Sequence, residues 1–483
     1  IRATNIIRFL HHMKNVYQPP LYYILLHFFI RAGGPSETVV RTLSFLAGVG
    51  TIPLIFSVGK RFLSHGHSLL LSAFFAVSPL YIWYSQEARV YALSVFCLLL
   101  ITHMYFRVFE EGRQNGLHLL LFAGLTACAI LLHYFVLFIV LCFLLILLIK
   151  HKAKVMRILL FLVPPVLLLL LPVISVIQHQ TRNVAQAFWL PIPGWYDLFI
   201  LTGNLLFGYT LPSFWFHAAT ALSLVICLHW LIRRKKDRYY LLLLGSSLVP
   251  ILLLFGVSQN IPVFVPRQLI VFSPFLFILI MDGISLLKWK YLRILCYVCM
   301  FITLIAGTYR YYPMSLTPGN RFHRGVLAKK QFRPVVDIIK REREACSTVV
   351  HLSSHTLMPL LLYAPEKDHY SLFLDTESAS SFTRTLHTTK DDSYKYRVAY
   401  DYHILRVSGL GRLAHTIEEE LPAQDFWLIS SSWKRTKRLE SPHKEIRNII
   451  RNTFILKQKD YYDGIYVELY GSPRHKTKKK SKR

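Results

Sequence analysis

The sequence predicts a polytopic α-helical membrane protein followed by a C-terminal extracytoplasmic α/β domain, and three observations support this. First, 53% of the residues are hydrophobic and the mean hydropathy is +0.39, more apolar than the surface of a soluble protein allows. Second, apolar runs such as 117–149 and 158–177 can cross a hydrocarbon core of about 30 Å, which takes about 20 helical residues. Third, charged residues become dense after Arg310. Continuous rather than alternating apolarity favours helices over a β-barrel.

The basic residues indicate a topology rather than a nucleic-acid partner. The net charge is +30, and sixteen of the Lys and Arg residues lie in short loops at 60–61, 107–113, 150–157, 233–238 and 288–293. The intervening turns carry only Arg89, Arg182 and Arg267. This alternation is the positive-inside pattern, so the basic loops are predicted to be cytoplasmic.

Ten membrane helices are predicted, in an inner or plasma membrane. Because ten is an even number, both ends of the chain are expected on the same side, and the positions of the basic loops make this the extracytoplasmic side. We expect residues 1–36 to be the remainder of the first extracytoplasmic loop, 37–308 the membrane domain, 309–475 an extracytoplasmic α/β domain, and 476–483 a disordered basic tail. The predicted helices are Glu37–Val58, Leu69–Tyr84, Val90–Phe106, Leu117–Leu132, Phe135–Ile149, Arg157–Ile177, Leu211–Ile232, Tyr239–Val257, Leu269–Leu287 and Leu292–Thr308.

The charged tail reads as alternating strands and helices. Strands are predicted at Thr348–Ser353, Asp425–Ser430 and Gly464–Leu469, and helices at Phe332–Ala345, Leu413–Glu420 and His443–Asn452. Six of the seven cysteines fall in apolar helices and only Cys346 in the tail, so no disulfide is expected.

Three acidic residues face the predicted outer side. Glu37 follows Ser36 and most simply stabilises the first turn of a helix that has Ser36 as its N-cap. Asp197 is expected to cap the following helix, and a catalytic role is the less favoured interpretation. Glu87 lies in a short polar turn between apolar helices, where an ionisable group is costly unless it faces a partner or a cavity. It is a surface partner of Arg89, a helix cap, or a carboxylate that binds a metal or an acceptor, with Arg89 for a phosphate.

Two further outer turns carry polar groups. His133-Tyr134 lies between two apolar helices, where the imidazole could bind a metal or a phosphate-bearing substrate, although an interfacial role is as simple. Arg267 begins a helix and either reaches toward lipid headgroups or contacts a ligand.

Four motifs follow one another along the chain. They are Gln18-Pro-Pro-Leu-Tyr-Tyr, then Arg41-Thr-Leu-Ser, then a run from Ser78 that contains Ser85-Gln-Glu-Ala-Arg-Val-Tyr-Ala-Leu, then His133-Tyr-Phe. In this order they resemble bacterial GT-C membrane glycosyltransferases of the group related to protein O-mannosyltransferases and lipid A aminoarabinose transferases. The SQEARVYAL stretch is the most specific, and the resemblance extends over nearly the whole chain.

The resemblance implies transfer of a sugar from a polyprenyl-phosphate donor to a glycan, lipid or protein acceptor at the outer face, by inverting displacement. Glu87 then resembles a carboxylate that orients the acceptor or binds a divalent metal ion, which is the only cofactor expected. The implied substrate contacts are Gln18, Arg89, Tyr91, His133, Tyr134 and Arg267.

One departure from the family pattern concerns the main catalytic base. Relatives carry an Asp upstream of the PPLYY stretch, whereas no acid occurs here before Glu37, and the chain opens with Ile1. We therefore expect a fragment that lacks its first helix and its base, and that is itself inactive. If activity were retained, Asp197 would be the next candidate base.

Two other classes fit the same broad features. A lipid or solute transporter also has many helices and intramembrane charges, but it typically shows helices broken in matching halves, and no such repeat is seen. A non-catalytic interaction protein of the glycosyltransferase family is the third possibility, supported by the absent acid.

Overall fold

A computed structural model describes most of the membrane region and parts of the C-terminal region. The described residues are 19–150 without 35 and 114, 192–313 without 236–238 and 262, then 332–341, 348–352, 368–374, 403–407, 425–431, 446–462 and 465–473. A few isolated positions, at 163–178, 360 and 415, are also described.

Within these residues, six helices are long and apolar enough to cross a membrane. Each coincides, to within a few residues, with one of the predicted membrane helices. A seventh predicted crossing, Leu69–Tyr84, is a pair of helices, His65–Ala76 and Pro79–Ser85, bent by 54°. The six are Glu37–Gly59, Tyr91–Glu110, Ser213–Arg233, Tyr240–Val257, Pro266–Ser285 and Lys290–Tyr311.

Three shorter apolar helices complete the described membrane region, namely Leu21–Gly33, Gly116–Leu132 and Val136–Lys150. The last two occupy predicted crossings. The predicted helix Arg157–Ile177 lies outside the described residues except for isolated positions, so ten crossings stays a prediction.

Two helices lie in segments for which no helix is predicted. Leu21–Gly33 falls within the predicted first outer loop, and Trp195–Phe207 within the outer loop that precedes Ser213. Each is only 13 residues long, too short for the length criterion of a crossing. Both contribute side chains to the cluster described below.

The helices differ in what surrounds them. Ser273–Ser285 is buried along almost its whole length, whereas most side chains of Glu37–Gly59 and Lys290–Tyr311 are at least partly exposed. Exposed apolar side chains such as Val225 and Leu252 are what a helix presents to lipid. Ser273–Ser285 is therefore a central helix of the bundle, and the other two are peripheral.

Helix starts follow local capping rules. The predicted cap at Ser36 is confirmed, because its hydroxyl accepts a hydrogen bond from the Val39 amide at 3.3 Å. Glu37 adds an ion pair with Arg41 at 2.5 Å, one turn later. Asn115 caps the helix Gly116–Leu132 in the same way, through a 2.9 Å bond from the His118 amide.

The described residues of the C-terminal unit form a six-stranded mixed sheet. Its strands are β1 Thr348–His351, β2 Asp368–Leu374, β3 His403–Val407, β4 Phe426–Ser431, β5 Phe454–Tyr462 and β6 Ile465–Pro473. The strand order is β3-β2-β1-β4-β6-β5, with the first four parallel and the β4-β6 and β6-β5 pairs antiparallel.

Both faces of the central strands are buried. Val350 and Leu428 pack with Ile446 and Ile450 of the helix 446–453 on one face, and Val349 and Trp427 pack with the helix Arg333–Arg341 on the other. This arrangement confirms the predicted α/β fold, including the strands β1, β4 and β6 and these two helices. The predicted helix Leu413–Glu420 lies outside the described residues except for His415.

Candidate functional site

The SQEARVYAL stretch forms a tight turn between the helix Pro79–Ser85 and the helix Tyr91–Tyr105. The amide of Arg89 donates to the carbonyl oxygen of Glu87 at 2.7 Å. The indole Nε1 of Trp83, which is almost fully buried, donates to Oε1 of Glu87 at 2.8 Å. The Glu87 carboxylate is therefore held by a rigid buried partner one helical turn earlier.

The backbone of Arg89 is fixed by two other segments. Its carbonyl oxygen accepts a hydrogen bond from Oγ of Ser44 at 3.1 Å, and Ser44 in turn is 2.9 Å from the hydroxyl of Tyr22. Both Ser44 and Tyr22 are completely buried, whereas the Arg89 side chain is exposed. The first two described helices thus position the turn while leaving the guanidinium accessible to a ligand.

Electrostatic interactions join the turn to distant parts of the chain. The Arg89 guanidinium forms a side-chain hydrogen bond with Tyr91 and interacts with Glu87 and Tyr23. Tyr23 also interacts with Arg267. Arg89 and Tyr91, which were predicted from one motif together with Glu87, therefore share an electrostatic partner, Tyr23, with Arg267 from a distant segment. These five residues are called the outer cluster.

An aromatic layer supports the outer cluster. The Trp83 ring meets the rings of Tyr209 and Tyr311 edge-on, at centroid distances of 5.4 and 5.5 Å. The hydroxyls of Tyr84 and Tyr209 are 2.8 Å apart, and Tyr311 donates to Oε1 of Gln86 at 2.6 Å. Tyr209 further interacts with Glu87, Tyr91 and Arg267.

Sequence reasoning missed Tyr209 and Tyr311 as members of this site. Both lie at helix ends far along the chain from the recognised motifs, and neither stands in a distinctive pattern. The available signal was polar aromatic residues at the outer ends of predicted helices, which an interfacial belt explains equally well.

His133 lies next to the outer cluster, at the end of the helix Gly116–Leu132. Its side chain is 5% exposed, and its ring centroid is 6.5 Å from that of Tyr91 and 5.6 Å from that of Phe135. Within the described part of the chain, its Nδ1 has no hydrogen-bond partner. Burial lowers the pKa of the imidazole to about 4, so His133 is neutral near pH 7.

This burial predicts acid sensitivity. Between the ordinary pKa of 6.5 and the folded-state value of about 4, only the unfolded chain binds the proton. Stability is therefore full above about pH 6.5 and falls by about 3 kcal/mol as the pH decreases to about 4. We expect the unfolding temperature of His133→Phe in detergent to depend less on pH over this window than that of the parent.

The exposed histidine His65 provides the control. His65→Phe is expected to keep the pH response of the parent protein. An equal response in His133→Phe and the parent would contradict the assignment of this acid sensitivity to His133.

Three other predicted residues have plainer positions. The Asp197 carboxylate accepts a 2.8 Å hydrogen bond from the amide of Gly194, so it stabilises the start of the helix Trp195–Phe207, an element that was not predicted. Tyr134 is half-buried in the turn after His133. Gln18 lies outside the described residues.

Gly208 ends the helix Trp195–Phe207 and forms the turn that positions Tyr209 in the aromatic layer. Its φ of 72° lies in the region that favours glycine, and an added Cβ would be 3.1 Å from the backbone nitrogen of Leu80. We expect Gly208→Ala to destabilise the fold by about 1–3 kcal/mol, seen as a lower unfolding temperature. Gly124→Ala is the control, because nothing lies within 4 Å of its added Cβ, and it should leave the unfolding temperature unchanged or raised.

A metal site is not formed by the described residues. Among them, no group of three His, Cys, Asp or Glu side chains is placed to hold an ion. The Glu87 carboxylate accepts a hydrogen bond from Trp83 and interacts with the guanidinium of Arg89. The described side chains alone therefore do not fit a metal, and the predicted divalent ion stays a prediction.

Comparison with known proteins confirms the resemblance read from the motifs. Residues 17–178 match the model of the family described as dolichyl-phosphate-mannose-protein mannosyltransferase. No curated protein matches the chain significantly.

Solved structures show the same fold. The apo structure of ArnT from Cupriavidus metallidurans matches with a TM-score of 0.53 at 10% identity, over 94% of this chain and 87% of that one. ArnT from the same organism bound to undecaprenyl phosphate gives the same TM-score and identity, over 94% and 88% of the two chains. The chain is therefore a multi-pass membrane protein that shares the fold of ArnT, and its residues 17–178 match the mannosyltransferase family model.

Proposed function

We propose that this protein transfers a sugar from a polyprenyl-phosphate donor to an acceptor hydroxyl at the extracytoplasmic face of the membrane. The observation that carries the proposal is the outer cluster, in which the carboxylate held by Trp83 interacts with Arg89, and in which Arg89 and Arg267 both act electrostatically on Tyr23. The family match and the fold support the reaction class. ArnT, solved with undecaprenyl phosphate, supports a lipid-linked donor.

Arg89 and Arg267 are assigned to the donor phosphate. Guanidinium groups bind phosphate oxygens through charge-assisted hydrogen bonds, often two at once. Both residues interact with Tyr23, so a phosphate beside this phenol could contact both cations. They would stabilise the negative charge that grows on the leaving phosphate.

Glu87 is assigned to the acceptor. Its Oε1 is engaged by Trp83, and a carboxylate has further lone pairs that can accept the hydrogen bond of an acceptor hydroxyl. In the reaction, the acceptor oxygen bonds to the anomeric carbon, the carbon–oxygen bond to the phosphate breaks, and its electron pair leaves with the polyprenyl phosphate. The acceptor proton passes to a carboxylate, and inversion at carbon follows from a single displacement.

The orientation of the protein follows from the same proposal. The outer cluster lies at the helix ends opposite to the basic loops, which the positive-inside rule assigns to the cytoplasm. The C-terminal α/β unit follows the helix Lys290–Tyr311, whose end is on the side of the cluster, so we assign this unit to the extracytoplasmic side. Labelling of a single cysteine introduced at the exposed Tyr461 by a membrane-impermeant maleimide in intact cells tests this assignment.

Proteoliposomes provide the direct test of function. The purified protein is given radiolabelled undecaprenyl-phosphate-mannose or undecaprenyl-phosphate-aminoarabinose, with cell-envelope extract as the source of acceptor. Release of free undecaprenyl phosphate, matched by label in the acceptor fraction, would establish sugar transfer and would show that the base is present in this chain. Movement of intact donor across the bilayer without release would instead indicate a transporter. Binding of undecaprenyl phosphate without either process would indicate a non-catalytic member of the family.

A further inference from the structure

A polar pocket lies at the opposite end of the bundle from the outer cluster. It has a volume of about 250 Å³, and its lining includes the guanidiniums of Arg61 and Arg234, the carboxylate of Asp282, and the rings of Phe62, Trp230 and Tyr239. These residues adjoin three of the basic loops. We refer to it as the basic-loop pocket.

Asp282 organises one wall of the basic-loop pocket. It is 5% exposed, and its Oδ2 accepts hydrogen bonds from Nε1 of Trp230 and Nε of Arg234, both at 2.9 Å. Its Oδ1 accepts from Nη2 of Arg234 at 2.7 Å. This two-point pairing fixes the plane and direction of the Arg234 guanidinium.

Arg61 is fixed on another wall. Its guanidinium is hydrogen-bonded to Glu111 and lies 5.5 Å from the centre of the Phe106 ring. Glu111 is shared with Arg107 and Arg113, at 3.7 and 3.6 Å. Cations therefore outnumber carboxylates in this network, and the pocket lining itself has two guanidiniums against one carboxylate.

The chemistry and position of the pocket indicate its ligand. Two oriented guanidiniums with aromatic walls suit a phosphate group, and 250 Å³ is below the about 300 Å³ at which pockets for drug-sized ligands begin. Ile232 and Leu241, which lie close in sequence to lining residues, are 61% and 55% exposed. A phosphate bound here would therefore have a lipid-accessible surface beside it for acyl chains.

We propose that the basic-loop pocket binds the phosphate headgroup of a membrane phospholipid, separately from the donor site. Basic pockets between helices on the cytoplasmic side commonly hold anionic headgroups. The two guanidiniums would contact the phosphate, and the aromatic rings would enclose the rest of the headgroup. The ligand stabilises the basic ends of the surrounding helices and takes no part in sugar transfer.

Native mass spectrometry of the full chain in detergent tests the proposal. Phosphatidylglycerol is titrated against the parent protein, with diacylglycerol and inorganic phosphate as separate arms. We expect a one-to-one phosphatidylglycerol adduct that neither other arm reproduces, together with a raised unfolding temperature. Arg61→Gln should weaken this adduct at least tenfold.

Two further variants separate the pocket from general charge effects and from misfolding. Arg107→Gln changes a partner of the same Glu111 but does not line the pocket, so it should keep the adduct. Leu243→Phe fills the pocket without changing charge and should lose the adduct while retaining donor binding. Equal adducts in Arg61→Gln and the parent would overturn the proposal. Equal binding of diacylglycerol would also overturn it, as would saturation of the site by inorganic phosphate alone.

Discussion

We expect replacement of Glu87 by Gln to lower the rate of sugar transfer by roughly 10²- to 10⁴-fold, the range typical for loss of a positioned acid–base group. The amide oxygen of Gln can still accept the hydrogen bond that Trp83 donates at 2.8 Å, so the turn keeps its shape. What is lost is the negative charge that orients the acceptor hydroxyl and favours movement of its proton. The measurement is kcat and KM for acceptor at saturating donor.

Asp197→Asn is the matched control for this prediction. Asn can also accept the hydrogen bond from the Gly194 amide that now reaches Asp197 at 2.8 Å, so both the helix start and the transfer rate should be preserved. A large loss of transfer rate in Asp197→Asn, together with a normal rate in Glu87→Gln, would show that Asp197 and not Glu87 takes part in the reaction. Normal rates in both variants would remove each of them from the reaction.

The membrane part of the fold could be predicted because its physical signal is strong and local. A membrane crossing needs about 20 apolar residues in one run. Such runs are easily recognised in the sequence, and one of them corresponds to the helix Lys290–Tyr311. Leu21–Gly33 was not predicted as a helix, because it is shorter and lies in a segment that the basic loops place outside. The bend between Ala76 and Pro79 was missed for a related reason, since hydropathy continues across it.

The strands of the C-terminal unit were predicted unevenly. β1 and β4 are central, buried on both faces and rich in apolar residues, as parallel strands usually are. β5 carries Lys457, Lys459 and Asp460 and pairs only with β6 at the edge of the sheet. Charged residues are common on edge strands, and they weaken the pattern by which a strand is detected.

The outer cluster could be predicted only in part. Glu87 and Arg89 stand in one motif, and the cost of a charge near the membrane singled them out. Tyr209 and Tyr311 join them only because helices distant in the chain pack together. That packing depends on tertiary contacts such as the hydrogen bond from Arg310 Nε to the Thr210 carbonyl oxygen at 3.0 Å, which no local pattern encodes.

Arg89→Ala and Arg267→Ala should each lower kcat/KM for donor by roughly 10²- to 10³-fold, the cost commonly seen when one group that stabilises developing negative charge is removed. Because we assign both guanidiniums to one phosphate, the double variant should lose less than the product of the two single losses. A second readout, independent of catalysis, is the Kd for undecaprenyl phosphate, which should rise in both single variants.

The control must remove a cation without touching the donor site. Arg113 is half-exposed and pairs with Glu111 at 3.6 Å on the basic-loop side, so Arg113→Ala should leave both kcat/KM and the Kd unchanged. Strictly multiplicative losses in the Arg89 and Arg267 variants would show that the two cations act on separate groups. An unchanged Kd with a reduced kcat would show that Arg89 and Arg267 do not contact the phosphate of the bound donor. The two side chains would then stabilise only the negative charge that develops in the transition state.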